Sequence, residues 1–300
     1  MLPATRFAPC DAGFGLVSQP QVGVIQACHH GSSFIDKDKV MTRIRLEYHG
    51  HVAYITFDHP PANTWTLASL QAFLQMMVEL DSRPDVVALV IRGAGDKFFC
   101  AGADLNMFVD GNIEKASEVA EAFGKAFDAL TRFHGVSIAA INGYAMGGGL
   151  EVALACDIRI AEQQALLGLP EASVGLLPCA GGTQRLTELV GPGWAKRIIL
   201  CGEKVSATLA YEMGLVEEVV KTGQGWEAAH QMAHLVERQS PSALRACKIL
   251  INQGRSGPRD AALPLERSLF LDLFSDANQR EGVAAFLEKR SPRWQYGPTK

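Results

Sequence analysis

The spacing of apolar and polar residues predicts a chain that alternates between strands and helices. Ile44 to Tyr48 and Val52 to Phe57 alternate in polarity around Gly50, which is typical of a β-hairpin. Leu67 to Leu80 carries apolar residues at helical spacing, and Ile113 to Phe133 reads as a longer amphipathic helix. Short apolar runs predict further strands at Val86 to Ile91, Ser137 to Ile141, Ile158 to Ala161 and Ala165 to Leu167.

Beyond Gly182 the pattern becomes mostly helical. Helices are predicted at Thr183 to Val190, Trp194 to Leu200, Ala207 to Met213 and Trp226 to Ser240, with a short strand near Val216 to Val219. Pro241, the segment Gly254 to Pro258, and Pro264 divide the remaining tail into three helices, the last of which ends near Arg290. This order of elements favours the α/β class, with residues 41–225 as the core and residues 226–300 as a helical region.

Composition and charge narrow the class of protein. The 300 residues are 48% hydrophobic with a net charge of −4, and neither sign of charge forms a long run. The chain therefore lacks the basic footprint of a protein that binds nucleic acid. The apolar stretch from Ser137 to Cys156 is interrupted by Asn142, Glu151 and three consecutive glycines, which argues against a span across a membrane.

Residues 1–40 differ from the rest, because Gly, Pro, His and Ser are scattered there without a period. They predict a disordered extension, or a start codon placed upstream of the true start at Met41. A secretory signal does not fit, and a single arginine before Arg43 makes a mitochondrial presequence a weak alternative. The seven cysteines, scattered and without a CxxC pair, predict free thiols in a reducing compartment. We therefore expect a cytoplasmic protein, or a mitochondrial one in a eukaryote.

Two glutamates twenty positions apart are the first candidates for chemistry. Glu151 stands near the start of an apolar run in GGGLEVALACD, and Glu171 follows Pro170 in GLPEASVG. A carboxylate in apolar surroundings must be paired, hydrogen-bonded or functional, because burying it alone is costly. Taken singly, Glu151 could complement a helix dipole and Glu171 could be a solvated loop carboxylate. The pair predicts acid/base chemistry on a substrate that lies between them.

Two glycine-rich turns follow predicted buried strands. In FFCAGADL and in GYAMGGGLE, backbone N–H groups are expected to point away from any ladder partner, and the second turn opens a helix whose dipole favours negative charge. Each turn alone could be an ordinary connection between elements. Together they predict two converging donors for an oxyanion. Glu151 follows Gly148 by three positions and so lies on the same helix face as that N–H.

Three segments, in order, resemble one known family. FFCAGADL, NGYAMGGGLEVALACDIRIA and PEASVGLLPCAGGTQRL are similar to the enoyl-CoA hydratase/isomerase (crotonase) superfamily, and the spacing of the glutamates is similar to that of its hydratase subgroup. The resemblance runs from Met41 to Arg290. It implies a spiral of ββα units, a helical trimerisation region in residues 226–300, a trimer or hexamer, and an acyl-CoA thioester as substrate. It implies no separate cofactor, since coenzyme A is part of the substrate.

The resemblance also implies roles for individual residues. Ala103 and Gly148 would supply the N–H groups of the oxyanion hole, and Glu151 and Glu171 would be the catalytic glutamates. A turn that contacts coenzyme A would comprise Ala103, Asp104, Leu105 and Asn106. Lys289 matches a basic position near the coenzyme A phosphates, although without the family it reads as a surface lysine. Leu105 to Asp110 and the helix beyond are expected to line the acyl end.

This sequence departs from the family pattern at two positions. Cys179 stands where a glycine is usual, and Asn106 stands where several hydratases carry lysine. These departures bear on the contacts with the acyl chain and with coenzyme A rather than on the chemistry.

Other signals are weaker. His230 and His234 have the spacing of metal ligands on a helix, but Gln231 replaces the glutamate of HExxH and a third ligand is not apparent, so no metal is predicted. GPGWAK lacks the last glycine of GxGxxG, and the sequence has neither a P-loop nor a GxSxG elbow. Recognition of a nucleotide is therefore expected only through coenzyme A.

These observations predict an enoyl-CoA hydratase, which adds water reversibly to a trans-2-enoyl-CoA in fatty-acid or related acyl-CoA catabolism. Glu151 would hold and activate the water, and Glu171 would deliver the proton to Cα. Two alternatives stay open. One is a Δ3-Δ2 enoyl-CoA isomerase, which can work with a single base, and the other is a catalytically idle member that serves as an interaction subunit.

Overall fold

The computed structural model describes residues 43–256 and 259–297. Its strands are β1 (Ile44–His49), β2 (Val52–Phe57), β3 (Ala88–Gly93), β4 (Phe98–Cys100), β5 (Val136–Ile141), β6 (Tyr144–Met146), β7 (Ile158–Glu162), β8 (Leu166–Gly168), β9 (Val205–Ser206) and β10 (Glu218–Val220). Its α-helices are α1 (Leu67–Asp81), α2 (Ile113–Arg132), α3 (Gly148–Ala155), α4 (Gly182–Leu200), α5 (Ala207–Glu212), α6 (Gly225–Glu237), α7 (Pro241–Ser256), α8 (Arg259–Asp272) and α9 (Ala277–Leu287). Short 3-10 helices lie at Leu105–Phe108, Glu171–Val174 and Leu273–Ser275.

From β3 to β8, consecutive strands enter two different sheets in turn. In this part of the chain, one sheet has six strands in the order β1-β2-β3-β5-β7-β10, and the other has four in the order β4-β6-β8-β9. Strands β3, β5 and β7 pair in parallel in the larger sheet, and β4, β6 and β8 pair in parallel in the smaller one. A helix follows each pair of strands, giving the repeated unit β3-β4-α2, β5-β6-α3 and β7-β8-α4. This is the predicted α/β spiral of ββα units, and the fold class is confirmed.

Alternation along the strands of the larger sheet separates two apolar layers. In β2, Ile55 and Phe57 face a core that includes α1, α2 and α3, while Val52 and Tyr54 face a second core with α6. Side chains of a strand point to opposite faces in turn, so a strand buried on both faces is apolar throughout. The carboxyl ends of the short strands β4 and β6, adjacent in the smaller sheet, carry the two glycine turns.

The hairpin and the first two helices are confirmed within one or two residues, but several sequence interpretations need correction. The run from Val86 predicted a strand two residues early, because Val86 and Val87 are buried while the strand starts at Ala88. Pro264 was expected to separate helices, yet it lies inside α8. A proline removes one helical hydrogen bond, and α8 continues through that loss.

The structure bears on some of the remaining expectations and leaves others untested. The predicted extension, residues 1–40, lies outside the described residues. Five cysteines, at positions 100, 156, 179, 201 and 247, are free thiols. None of the described helices is both long and apolar enough to cross a bilayer. The assignment of residues 41–225 as core and 226–300 as a helical oligomerisation region stays a prediction.

Candidate active site

The two glycine turns converge because glycine lets their backbones touch. A Cβ on Gly149 would lie 2.0 Å from the carbonyl oxygen of Cys100, far inside van der Waals contact. Gly102 has φ of 93° and a Cβ there would lie 2.8 Å from the carbonyl oxygen of Met146. Any larger residue would push the end of β4 away from the start of α3. The sequence therefore brings the segment before Ala103 against the segment that carries Gly148.

Pairing with Trp65 directs the Ala103 N–H away from the backbone ladder. The Trp65 N–H donates to the Gly102 carbonyl over 2.8 Å, and the Asp104 N–H donates to the Trp65 carbonyl over 2.8 Å. In an extended segment alternate peptide groups point to opposite sides, so the N–H of Ala103 points away from Trp65. Gly148 is the first residue of α3, where an N–H has no partner within the helix. Among the described residues, neither N–H donates to a protein acceptor.

Trp65 also reaches the second turn through its side chain. Its indole Nε1–H donates to the Gly148 carbonyl over 3.3 Å, and the residue is 2% exposed. A Cβ on Gly148 would lie 2.9 Å from Cε1 of Phe123, so that ring packs against the start of α3. Trp65 therefore contacts the turns of both candidate donors. Sequence reasoning missed it, because a tryptophan at a core position of an apolar pattern gives no separate signal.

Glu151 is buried but held in a site made for an anion. Its side chain is 2% exposed, and Oε1 accepts from the N–H groups of Ala180 and Gly182, each over 2.8 Å. Gly182 begins α4, so the carboxylate lies at the positive end of that helix. Burial raises the pKa of Glu151 above its usual range, and the N–H groups of Gly182 and Ala180, followed by the charge of Arg185, offset part of that rise. The glycine pair Gly181-Gly182 is visible in the sequence, but the sequence does not show that this turn binds Glu151.

Glu171 occupies a different environment. It begins the 3-10 helix Glu171–Val174, and its Oε2 is buried with no hydrogen-bond partner in the described part of the chain. A Cβ on Gly147 would lie 3.0 Å from Oε1, which places this carboxylate against the second glycine turn. Burial is the main cause that raises the pKa of Glu171. Its own backbone N–H lowers the pKa and the charge of Glu151 raises it, and the result is a pKa of about 7. Glu171 can therefore carry or release a proton near neutral pH.

One cavity of about 200 Å³ brings these groups together. Ala103, Gly148, Glu151 and Glu171 line it. Its apolar wall comprises Leu105, Phe108, Phe123, Val174, Leu176 and Leu177. Cys179 also lines it, and burial together with the two carboxylates raises the pKa of that thiol to about 11. The thiol is therefore neutral, and the cavity combines two carboxylates and two free N–H donors with an apolar wall.

Other residues singled out from the sequence lie outside the cavity wall. Asp104 caps the 3-10 helix Leu105–Phe108, where its Oδ1 accepts from the backbone N–H and side-chain amide of Asn106. Lys289 is exposed beyond α9, and its N–H donates to the Phe286 carbonyl over 3.2 Å. The structure does not bring Lys289 to the cavity.

His230 and His234 form a hydrogen-bonded pair rather than an open metal site. Their Nε2 atoms lie 3.0 Å apart. The second nitrogen of His230 contacts the hydroxyl of Tyr54, and that of His234 contacts Glu237. No cluster of three or more His, Cys, Asp or Glu suited to a metal ion occurs among residues 43–256 and 259–297.

The chain is similar in sequence and in fold to several known proteins. Residues 47–297 match the family model described as enoyl-CoA hydratase/isomerase. The short-chain-enoyl-CoA hydratase of Clostridium acetobutylicum is 36% identical over 251 residues, which are 83% of this chain and 96% of that protein. The crystal structure of an enoyl-CoA hydratase from Bacillus anthracis is 35% identical with a TM-score of 0.82, covering 85% of this chain and all of that one. The structure of Pseudomonas aeruginosa DspI is 57% identical with a TM-score of 0.84, covering 89% of this chain and 100% of that chain.

Proposed function

The chain belongs to the enoyl-CoA hydratase/isomerase family and is an enoyl-CoA hydratase, a hydro-lyase. We propose that Glu151 and Glu171 divide the proton transfers of its reaction. The substrate is a trans-2-enoyl-CoA and the product a 3-hydroxyacyl-CoA. We propose that the reaction serves fatty-acid or related acyl-CoA catabolism in the cytoplasm. The observation that carries the proposal for the two glutamates is one cavity that holds two carboxylates of different environment beside two free backbone N–H groups. The reaction needs no resident cofactor, because the thioester itself activates the double bond.

The N–H groups of Ala103 and Gly148 would bind the thioester carbonyl oxygen. Two donors on that oxygen withdraw electrons from the conjugated Cα=Cβ bond, so water can attack Cβ while negative charge gathers on the oxygen. Fixed donors stabilise that charge more in the transition state than in the ground state.

Hydration requires one carboxylate that takes a proton from water and one that gives a proton to Cα, and the environments of Glu151 and Glu171 suit these two roles. Glu151 accepts two backbone N–H bonds on Oε1, which favours its ionised form and leaves Oε2 to take a proton from the attacking water. Glu171, with a pKa raised to about 7, retains a proton that it can deliver to Cα. In the reverse direction Glu171 takes the Cα proton and Glu151 helps the hydroxyl to leave. Because the carboxylates interact, they titrate as a pair.

An assay of the purified full-length chain tests the proposal. Loss of the conjugated enoyl-thioester absorbance, measured with trans-2-enoyl-CoA from four to sixteen carbons and with branched chains, reports hydration and shows which acyl group is preferred. Conversion of 3-enoyl-CoA to 2-enoyl-CoA, measured in parallel, reports isomerisation. Isomerisation without hydration would support the isomerase, and no turnover of any thioester would support the idle subunit. Asn106 and the exposed Lys289 stay candidates for contact with coenzyme A.

The hydration rate is expected to fall as pH rises through about 7. The folded-state pKa of Glu171 is raised, so this carboxyl is protonated below that pH and ionised above it, and a general acid acts only while it holds its proton. The rate should also fall at low pH as Glu151 becomes protonated. A profile of kcat/KM against pH checks both limbs. A rate that stays constant from about pH 7 to about pH 9 would contradict the assignment of Glu171 as the acid.

We also propose that the protein is a homotrimer or homohexamer. The C-terminal helices α8 and α9, with the 3-10 helix between them, carry six exposed apolar side chains: Phe270, Leu271, Phe274, Val283, Phe286 and Leu287. An exposed set of this kind is typical of a subunit interface. Sedimentation analysis should give a species of three or six chains, and Phe286→Asp should shift it towards single chains. A wild-type protein that sediments as one chain would contradict this proposal.

A further inference from the structure

Arg185 lies behind the turn that binds Glu151. It is in the first turns of α4, and its side chain folds back so that Nη1 donates to the Ala180 carbonyl over 2.7 Å. Its Nη2 donates to Thr131 Oγ1 over 3.0 Å and to Asp128 Oδ1 over 3.3 Å, both on α2. The side chain is 15% exposed. One guanidinium therefore ties the start of α4 to α2.

The turn that Arg185 holds is the turn that donates to Glu151. Ala180 is bonded on both sides, since its N–H donates to Glu151 and its carbonyl accepts from Arg185. The next residue, Gly181, has φ of 94°, and a Cβ there would lie 2.4 Å from Nη1 of Arg185. The guanidinium therefore lies directly against this turn. Movement of Arg185 would move the N–H groups of Ala180 and Gly182 and, with them, the carboxylate.

We propose that Arg185 is a positioning residue for the reaction: it fixes the Ala180 to Gly182 turn, so that the Glu151 carboxylate is held with one oxygen on that turn and the other directed to the attacking water. This inference rests on the proposed function of Glu151. Arg185 does not line the cavity, so it acts through the turn and through its charge rather than on the substrate.

Electrostatics support the same role. The titratable groups that interact with Glu151 are Arg185, Glu171 and the thiol of Cys179. Burial raises the pKa of that thiol, so it is neutral at physiological pH. Glu171 is anionic above about pH 7, which leaves Arg185 as the positive charge that lowers the pKa of Glu151. Loss of this charge should widen the pH range over which Glu151 is protonated and inactive as a base.

A purely structural role is the competing explanation. The ion pair with Asp128 would in that case only join α2 to α4. The Asp128 side chain is 58% exposed, and ion pairs open to solvent contribute little to stability. The bonds from Arg185 to the Ala180 carbonyl and to Thr131 are less exposed than the ion pair. The bond to Ala180 holds the residue whose N–H donates to Glu151. The pH dependence of the reaction separates the two explanations, because a structural contact does not change the ionisation of Glu151.

The experiment compares Arg185→Met, Arg185→Lys and a matched control, Arg197→Met, in the full-length chain. Arg197 is on the same helix but pairs with Glu203 at the surface. Arg185→Met should lower kcat for hydration by up to about 10²-fold, the effect expected from a small misplacement of a catalytic group, with little change in KM. The low-pH limb of kcat/KM should move to higher pH. Arg185→Lys should restore this limb but only part of kcat, and Arg197→Met should behave as wild type.

Three outcomes would overturn the inference. Wild-type kcat in Arg185→Met or in Arg185→Lys is the first. The second is a lower kcat or a lower Tm in Arg185→Met with the low-pH limb unchanged, which is the result of a purely structural contact. If Arg185→Met does not fold, Arg185→Lys tests the inference, because lysine keeps the positive charge but lacks the two guanidinium nitrogens that bond to Ala180 and to α2. The third is Arg197→Met reproducing the effects of Arg185→Met. Full hydration by Glu151→Gln would refute the proposed function instead, so the two failures are distinguishable.

Discussion

Glu151→Gln and Glu171→Gln are each expected to lower kcat for hydration by about 10² to 10⁴-fold, the usual contribution of general acid/base catalysis. Glutamine keeps the size of the side chain and can still accept the N–H groups of Ala180 and Gly182, so the fold should change little. It cannot exchange a proton. Steady-state hydration of an enoyl-CoA, with Tm measured in parallel, checks the expectation. The double variant should lose less than the product of the single losses, because both groups act on one transition state.

Glu162 offers a matched control for Glu151. It is also a buried glutamate, and its two oxygens accept from the N–H groups of Gly223 and Gly225 near the start of α6. It lies outside the cavity wall. Glu162→Gln should therefore lower stability by about 1 to 3 kcal/mol, the cost of weakening a buried hydrogen bond to a charged group, while kcat is unchanged. An equal loss of kcat in Glu162→Gln would mean that the losses reflect general disruption.

The carboxylate variants also separate hydratase from isomerase. Hydration requires both activation of water and protonation of Cα, whereas isomerisation moves one proton between two carbons of the substrate. If Glu151→Gln left hydration intact while Glu171→Gln abolished conversion of 3-enoyl-CoA to 2-enoyl-CoA, the isomerase interpretation would replace the present one. Loss of hydration in both variants is the result that the geometry favours.

Elements whose signal is local could be predicted from the sequence. The hairpin around Gly50 and helices α1 and α2 follow from alternation and from helical spacing, which each segment carries by itself. Strand β6, Tyr144–Met146, went unpredicted because three residues between an asparagine-glycine step and a glycine run are too short to show a period. The start of β3 was misplaced because an apolar run reports burial, and burial begins before strand pairing does.

The candidate site divides in the same way. Glu151, Glu171 and the two glycine turns stand out because their residue types conflict with their surroundings, and the structure brings all four to one cavity. The partners of Glu151 did not stand out, because the donors are backbone N–H groups from a turn some thirty positions away, and any sequence has such groups. Trp65 and Arg185 were missed for a related reason. A buried tryptophan reads as core and a helical arginine as surface until the chain is folded.

Removal of one candidate oxyanion donor is the second change with a large expected effect. Gly148→Pro deletes the N–H that would bind the thioester oxygen, and kcat should fall by about 10² to 10³-fold, the loss seen when one oxyanion donor is removed. Proline suits this position, because Gly148 is the first residue of α3, where a helix needs no N–H and proline is favoured. The preceding residue is Gly147, which tolerates the restriction that a following proline imposes.

Gly148→Ala is the matched control, because it adds the same Cβ and keeps the N–H. That Cβ would lie 2.9 Å from Cε1 of Phe123 and 3.5 Å from Cδ1 of Trp65, so both variants displace the same rings. The ratio of kcat between Gly148→Ala and Gly148→Pro therefore excludes the crowding of Phe123 and Trp65, and reports the loss of the N–H together with the proline Cδ that takes its place. The ratio should be on the order of 10² or more, with similar Tm for the two proteins. A folded Gly148→Pro protein with the kcat of Gly148→Ala would remove this N–H from the mechanism and leave Ala103 as the sole candidate donor among the turns described.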